Sequence, residues 1–211
     1  MSVFEIPAGT TARSLLESVA PALHAQLVPD DVPSDALAVS VRIEGAGGWT
    51  VHIRGREMRV VEGESEKPAL WLFTTLQTVE TFLEDAAGEQ RLLPKIDAVP
   101  EGVPILTDPR LVKRVAMAQG RIEIALRDFE GERLSVVIGF GSAARRRIDP
   151  DDADVVVEAG MSTVSRMLAG ALAPEDALAD GDVQVRGNRM LALQLALAVA
   201  PFYPKARART A

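Results

Sequence analysis

The sequence predicts an α+β protein, and three features carry this prediction. Apolar and polar side chains alternate through much of 37–61, which is typical of half-buried strands. Apolar residues recur at helical spacing at 10–28 and again at 188–202. The order of strands and helices is then repeated in the second half of the chain, which indicates two similar units.

The chain opens with a helix pattern at 10–28. Thr10 and Thr11 are both candidate N-caps, and Pro21 is a candidate kink. The loop PDDVPSD ends this segment. The apolar residues that share one helical face are Leu15, Leu16, Val19, Leu23 and Leu27.

Two strands joined by the turn GAGG follow, and together they form a β-hairpin signature. A third strand, EMRVVEG, and a fourth, ALWLF (69–73), come next. The segment TTLQTVETFLEDAAG then has the spacing of an amphipathic helix. The apolar hairpin positions are Val39, Val41 and Ile43 on the first strand, and Trp49, Val51 and Ile53 on the second.

The second half of the chain shows the same order of elements. ADVVVEAG takes the place of PALWLFTT, and MSTVSRMLAGAL takes the place of LQTVETFLEDAA. The segment 103–118 matches 183–198, with Asp108 and Asn188 at the same position before a helix. We interpret the match as a degenerate internal duplication. The hairpin positions of the second unit are Ile122, Ile124 and Leu126, followed by Leu134, Val136 and Ile138.

Composition excludes several classes of function. The net charge of −7 and an aromatic content of 4% argue against a nucleic-acid partner. The chain has no cysteine, which rules out disulfides, thiol nucleophiles and cysteine-ligated zinc. The first residues lack the basic and apolar regions of a secretory signal, and the apolar run 191–202 is too short to span a bilayer. We therefore expect a cytoplasmic protein.

Few residues suggest catalysis or metal binding. His24 and His52 are too few for a catalytic triad or a multi-histidine metal site. The glycine-rich GAGGW (45–49) joins two strands, whereas a phosphate loop opens a helix. PDDAD (150–154) is interpreted as a solvated loop, because a calcium loop needs more alternating oxygen ligands. We therefore expect no enzyme, no metal site and no cofactor.

Two basic segments each have two interpretations. Arg145, Arg146 and Arg147 either pair with the neighbouring acids or meet an anionic headgroup at the mouth of a pocket. The segment KARARTA is either a frayed terminus or a contact with an anionic membrane.

A distinctive series of motifs occupies the second unit. A strand with an alanine–aspartate pair enters a helix, and a glycine and a leucine-x-proline segment follow. A small helix, a glycine–strand–glycine–asparagine strand and a long apolar helix complete the series. In these motifs the unit resembles the sterol carrier protein-2 (SCP-2) domain family. The residues that carry the resemblance are Ala153, Asp154, Gly170, Leu172, Pro174, Ala177, Leu178, Gly181, Gly187 and Asn188.

The resemblance implies two SCP-2-like units, each a mixed, mainly antiparallel five-stranded sheet covered by helices. The expected boundaries are a divergent unit at 1–108, a second unit at 109–205, and a basic, disordered tail at 206–211. It also implies a non-catalytic protein that binds or transfers a sterol, fatty acid, acyl-CoA or similar lipid in an apolar tunnel between sheet and helices. The alternative is a lipid-free accessory, scaffold or dimerisation protein of a lipid or quinone pathway.

The expected partner is therefore a hydrophobic small molecule; transient membrane contact and a homodimer are both compatible with this interpretation. The pocket is expected between the second sheet and the helices 161–169 and 188–202. For each single residue, ordinary core packing is the competing interpretation. The predicted lining residues are Val164, Met167, Leu168, Leu178, Met190, Leu193, Leu197 and Phe202, with Phe73, Leu76 and Phe82 in the first unit.

Overall fold

The structure is a computed structural model, and it describes residues 6–28, 34–87, 109–129, 132–141, 153–168 and 171–199. It confirms the α+β class. The helices are α1 (Ala12–Ser14), α2 (Ala20–Leu27), α3 (Leu76–Ala87), α4 (Pro109–Ala116), α5 (Met161–Leu168), α6 (Pro174–Ala179) and α7 (Arg189–Val199). The strands are β1 (Leu37–Glu44), β2 (Gly47–Arg54), β3 (Glu57–Glu62), β4 (Leu70–Thr75), β5 (Gly120–Phe129), β6 (Glu132–Phe140), β7 (Val155–Gly160) and β8 (Val183–Gly187).

The first helical segment begins at a capping box. The Thr11 hydroxyl oxygen accepts a hydrogen bond from the Ser14 backbone N–H, and the Ser14 hydroxyl oxygen accepts one from the Thr11 N–H. Thr11 is therefore the N-cap. A π-helical turn at Leu15–Val19 separates α1 from α2 and lies just before Pro21, which has no N–H to donate. The irregularity that the sequence predicts at Pro21 takes this form.

The described strands form one mixed sheet in the order β3-β2-β1-β4-β6-β5-β7-β8. The pairs β1–β4 and β5–β7 are parallel, and the remaining neighbours are antiparallel. Four strands come from each half of the chain. Each parallel pair needs a crossover, because parallel strands cannot be joined by a tight turn.

The two halves meet where β4 pairs with β6, with Leu72 opposite Ile138. The sequence predicts five strands in each unit, whereas the described strands make a single continuous sheet of eight. An unpaired strand edge leaves backbone N–H and C=O groups without partners. Pairing β4 with β6 satisfies both inner edges at once, and strand periodicity contains no signal for that pairing.

The same arrangement of three strands occurs twice, as β2-β1-β4 and as β6-β5-β7. Val39 lies opposite Leu70 in the first parallel pair, and Ile122 lies opposite Val155 in the second. These two pairs occupy matching positions in the sequence alignment of the two halves. The hairpins differ by two residues in register, and the second one contains a register shift between Leu126 and Phe129. A shift of two residues keeps every side chain on its original face. The structure thus supports the repeat in strand order and in the parallel register.

The largest cluster of buried apolar side chains is called the main core. It lies between one face of the sheet and the helices, and we call this face of the sheet the helix face. It carries Val41, Leu72, Ile138 and Val155, and α1, α3, α4 and α7 all contribute buried side chains to the core above it. The other face carries Ser40, Trp71, Val137 and Glu158 and is called the opposite face.

Helix α7 begins at Arg189, and Asn188 is its N-cap, as the sequence predicts. The Asn188 side-chain oxygen accepts hydrogen bonds from the backbone N–H groups of Met190 and Leu191, both at 3.1 Å. The strand that leads into this helix therefore ends with a glycine and a capping residue.

Candidate functional site

The candidate site is an apolar strip across the helix face of the second half of the sheet. Ile124 on β5 lies opposite Val136 on β6 and opposite Val157 on β7. Val157 in turn lies opposite Val185 on β8. Directly paired residues project from the same face of a sheet, so these four side chains form one row, which we call the central strip.

Two apolar clusters flank the central strip. Along β5, Ile122 packs against the main core, whereas Leu126 belongs to a separate cluster; Ile124 lies between them. Helix α7 contributes Leu191 and Leu195 to the main core. The second cluster consists of Leu126 and Leu134, with Phe82 of α3 and Met161 and Val164 of α5 packed against them. Val136, Val157 and Val185 are partly buried against the main core, whereas Ile124 is exposed between the two clusters. We call this exposed surface at Ile124 the groove.

Ile124 is 42% exposed, although it lies on an inner strand of the sheet and on the helix face. The equivalent residue of the first unit, Val41, is only 8% exposed. The residue opposite Val41 is Trp49, whereas the residue opposite Ile124 is Val136. Because an indole ring occupies far more volume than an isopropyl group, the first unit is filled at this position and the second is not.

Trp49 is also held in place by the N-terminal helical segment. Its indole N–H donates a hydrogen bond to a Glu17 carboxylate oxygen at 3.1 Å, and Leu15 and Leu16 pack against the same core. A buried indole N–H usually finds such a partner. The first unit is therefore closed by both a large side chain and a covering helix.

Beneath the central strip, the opposite face is occupied by ion pairs. Arg133 contacts Glu123 at 2.9 Å and Glu158 at 3.4 Å, and Arg186 contacts Glu158 at 2.5 Å. Both glutamates are buried, whereas both arginines are exposed. Buried carboxylates persist when guanidinium groups compensate their charge. At the central strip the helix face is thus apolar, and the opposite face directly beneath it carries charged side chains.

We expect Glu158→Gln to lower the free energy of unfolding by about 1–3 kcal/mol, because it leaves two arginines beside an uncharged partner. The matched control is Glu62→Gln, since Glu62 pairs with Arg13 at the exposed surface and such pairs contribute about 1 kcal/mol or less. Urea denaturation of both variants measures the difference. Equal changes would show that the buried network does not stabilise the sheet.

The structure brings together some of the predicted lining residues. Phe82 and Val164 both pack on the second apolar cluster, beside the central strip. Met167 is half-buried on α5, and Leu168 is the last residue of that helix. Leu76 packs instead against the main core, at the start of α3.

Other predicted lining residues lie at the surface or on the other side of the sheet. Leu193 is 53% exposed and Leu197 64% exposed, on the side of α7 away from the buried Leu191 and Leu195. Phe73 clusters with Trp71 and Val137 on the opposite face. Met190 and Leu178 are also exposed, and Phe202 lies outside the described residues.

The sequence names Ile124 and Val136 as strand residues but does not identify them as site residues. The only available signal was the contrast between Trp49 in one hairpin and smaller residues in the other. The effect of that contrast depends on which residues pair across each hairpin, and the two hairpins differ by two residues in register.

A separate cavity of 320 Å³ lies where the ends of β1 and β4 approach α4. Its walls are mainly apolar, and the ion pair between Lys113 and Asp35 stands at its edge. None of the predicted lining residues belongs to it. The lining residues are Asp35, Ala36, Leu37, Pro68, Ala69, Pro109, Val112, Lys113, Ala116 and Gly141.

Among the residues that the structure describes, no three His, Cys, Asp or Glu side chains are grouped so that they could hold a metal ion. In the same part of the chain, none of the helices has the length and apolar character needed to cross a membrane.

Comparison with known proteins shows that the second half of the chain matches a family model. Residues 105–199 match the model of the SCP-2 sterol transfer family, which confirms the resemblance predicted from the motifs of the second unit. No curated protein matches the chain.

Several solved structures are similar over about half of the chain. One is apo sterol carrier protein 2 from Yarrowia lipolytica, with 17% identity and a TM-score of 0.33 over 52% of this chain and 89% of that one. Another is palmitated SCP2L2 from Aedes aegypti, with 15% identity and a TM-score of 0.34 over 46% of this chain and 96% of that one. A third is sterol carrier protein 2 like 2 from the same mosquito, with 20% identity and a TM-score of 0.31 over 57% and 95%.

Proposed function

Because residues 105–199 match the SCP-2 sterol transfer family, we propose that the chain is a non-catalytic carrier of a hydrophobic ligand. The ligand is a lipid such as a sterol, a fatty acid or an acyl-CoA. Its apolar part lies over the central strip, between α7 on one side and α3 and α5 on the other.

The observation that carries this proposal is the exposure of Ile124. An apolar side chain on an inner strand, on the face that helices cover, is normally buried in the core. Here apolar clusters lie on both sides of it, and the three valines in its row pack against the main core. Burying a lipid chain on such a surface contributes about 0.8 kcal/mol for each methylene.

We further propose that the two units have different roles. The unit at 109–205 holds the ligand, and the unit at 1–108 stabilises the shared sheet. The buried Trp49 supports this division, because it fills the position of the first unit that corresponds to the open part of the second. The pairing of β4 with β6 supports it as well, since it gives an inner edge of the second unit a permanent partner.

The test is native mass spectrometry of the purified chain, followed by extraction and identification of any bound lipid. We expect a lipid on the wild-type chain. The fraction of Ile124→Glu protein that carries lipid should be lower by about tenfold or more, because a carboxylate in the groove must be desolvated when an apolar chain binds. The control is Met117→Glu, which places the same charge at a side chain that is 80% exposed beside α4.

Two results would contradict the proposal. One is a wild-type chain that carries no lipid and takes up none from a panel of sterols, fatty acids and acyl-CoA. The other is an Ile124→Glu variant that is folded and retains its ligand. Circular dichroism of each variant separates loss of the ligand from loss of the fold.

A further inference from the structure

We propose that the cavity of 320 Å³ beside α4 binds a free α-amino acid whose side chain is large and apolar, such as leucine or phenylalanine. The apolar side chain of the amino acid lies inside the cavity, and its ammonium and carboxylate groups lie at the edge. None of the residues that line this cavity belongs to the central strip, so the proposal goes beyond the proposed function and does not depend on it.

The first observation is the size and the apolar lining of the cavity. Of the ten described residues that line it, eight are alanine, proline, glycine, leucine or valine. Small-molecule sites have volumes from about 300 Å³ upward and mainly apolar walls. A dry cavity of about 150 Å³ already holds a benzene ring. The cavity at α4 therefore has room for one large apolar side chain of a ligand.

The second observation is the pair of opposite charges at the edge of the cavity. The Lys113 ammonium donates a hydrogen bond to the Asp35 carboxylate, and both side chains are exposed. An ammonium has three N–H donors, and a carboxylate can accept several hydrogen bonds, so both groups can also contact a ligand.

This charge pair selects a zwitterion. A ligand with a carboxylate alone would be attracted by Lys113 but repelled by Asp35, and a ligand with an amine alone would meet the reverse. An α-amino acid places its carboxylate beside Lys113 and its ammonium beside Asp35, so that unlike charges are neighbours throughout. Charge complementarity and the apolar cavity together indicate an apolar amino acid.

The third observation is that the second unit lacks the charge pair. Helices α4 and α7 occupy equivalent positions in the two units and pack against each other. In the alignment of the two halves, Lys113 corresponds to Leu193 and Asp35 corresponds to Ala118. The ion pair is therefore particular to the first unit and is not a requirement of this position in the fold.

The second unit also fills part of the equivalent volume. Ala69, which lines the cavity, corresponds to Asp154. The Asp154 carboxylate accepts a hydrogen bond from the Arg121 backbone N–H at 2.9 Å, and it also lies 3.4 Å from the Arg121 guanidinium. A polar side chain with local partners thus stands where the first unit has a methyl group. The open volume and the charge pair occur together in the first unit, which is why we assign the ligand to it.

The experiment is isothermal titration calorimetry of the full chain with L-leucine and L-phenylalanine. We expect saturable binding of one molecule per chain. Two analogues of leucine test the two charges: 4-methylpentanoate lacks the ammonium, and isoamylamine lacks the carboxylate. Each should bind about fivefold more weakly or worse, because one of the two charge contacts is lost. Glycine tests the cavity and should show no measurable binding, since it has no side chain to bury.

Variants of the cavity locate the site. Ala116→Leu should abolish binding of leucine, because the larger side chain fills the cavity that Ala116 lines. Ala196→Leu is the matched control, since Ala196 is exposed at the equivalent position of α7, and it should bind like the wild type. Lys113→Gln should weaken binding about fivefold, whereas Lys67→Gln, at an exposed lysine outside the lining, should not change it. Circular dichroism checks that each variant is folded.

Three results would overturn the proposal. One is a wild-type chain that binds neither leucine nor phenylalanine, and this result leaves the proposed function intact if the same protein carries a lipid. Another is equal binding of leucine and either analogue, because the charge pair would then not select a zwitterion. The third is a folded Ala116→Leu variant that binds leucine as the wild type does, since the ligand would then lie elsewhere.

Discussion

Gly187→Ala is expected to destabilise the protein by roughly 3–5 kcal/mol, the largest effect on stability of any substitution considered for this chain. Gly187 ends β8 with φ at +93°, a conformation that side chains with a Cβ rarely adopt. A Cβ at this position would also lie 2.4 Å from the backbone carbonyl oxygen of Asp154. A backbone carbonyl cannot rotate away as the end of a side chain can.

That carbonyl oxygen is part of the junction between strand and helix. It accepts a hydrogen bond at 2.8 Å from the N–H of Asn188, the residue that caps α7. The Asp154 carboxylate in turn accepts a hydrogen bond from the Arg121 N–H at 2.9 Å. Moving Asp154 to make room for a methyl group would therefore disturb the start of α7 and the edge of β5 together.

Gly181→Ala is the matched control for this prediction. Gly181 has φ at +78°, but a Cβ there would meet no atom within 4 Å. The free energy of unfolding of the control should therefore fall only by the cost of placing a Cβ in the left-handed conformation, about 1–2 kcal/mol. Chemical denaturation of both variants measures the two effects. If the two substitutions cost the same, the contact with Asp154 contributes nothing to the stability of the junction.

Much of the fold could be predicted because it depends on local patterns. Alternation predicted the strands of both hairpins, and the alignment of the halves predicted the correspondence of Leu70 with Val155 in the parallel pairs. Asn188 was recognisable as an N-cap from its residue type and its place before an apolar run. These features depend on residues that are close in the sequence, or on the alignment of one half of the chain with the other.

The side of the sheet to which a side chain points was harder to predict in segments that contain no polar residues. ALWLF is apolar throughout, so its period does not show which side chains point toward the helices. The structure places Leu70 and Leu72 on the helix face and Trp71 and Phe73 on the opposite face. Phe73, which was predicted as a lining residue of the first unit, therefore lies on the face of the sheet away from the helices of the main core.

Helix α7 presents the same difficulty in another form. Its sequence RMLALQLALAV is apolar around most of the helix, so every large residue is a candidate for burial. The structure buries Leu191 and Leu195 and exposes Leu193 and Leu197. The sequence of α4, PRLVKRVA, alternates charged and apolar residues at helical spacing, and its buried face could be read directly. The comparison of the two helices was therefore the available signal for which face of α7 is buried.

Val136→Trp is expected to abolish ligand uptake by the second unit while leaving the fold intact. The substitution copies the first unit, in which Trp49 lies opposite Val41 and that strand position is closed. In the second unit Val136 is half-buried against the main core beside the exposed Ile124, so we expect the indole to extend over Ile124. We expect about tenfold weaker uptake or worse, because the indole would occupy volume that the ligand needs.

Fatty-acid uptake and thermal unfolding of the same samples would test this prediction. The midpoint of unfolding should change little, because the added ring would lie over the exposed Ile124 and replace ligand or solvent there. The control is Val60→Trp, since Val60 is a half-buried valine on the helix face of β3, far from the central strip in the strand order. A Val136→Trp variant that is folded and still takes up lipid like the wild type would show that the ligand does not lie over the central strip. If Val136→Trp loses uptake and Val60→Trp does not, the volume of one side chain explains why the first unit is closed and the second binds the ligand.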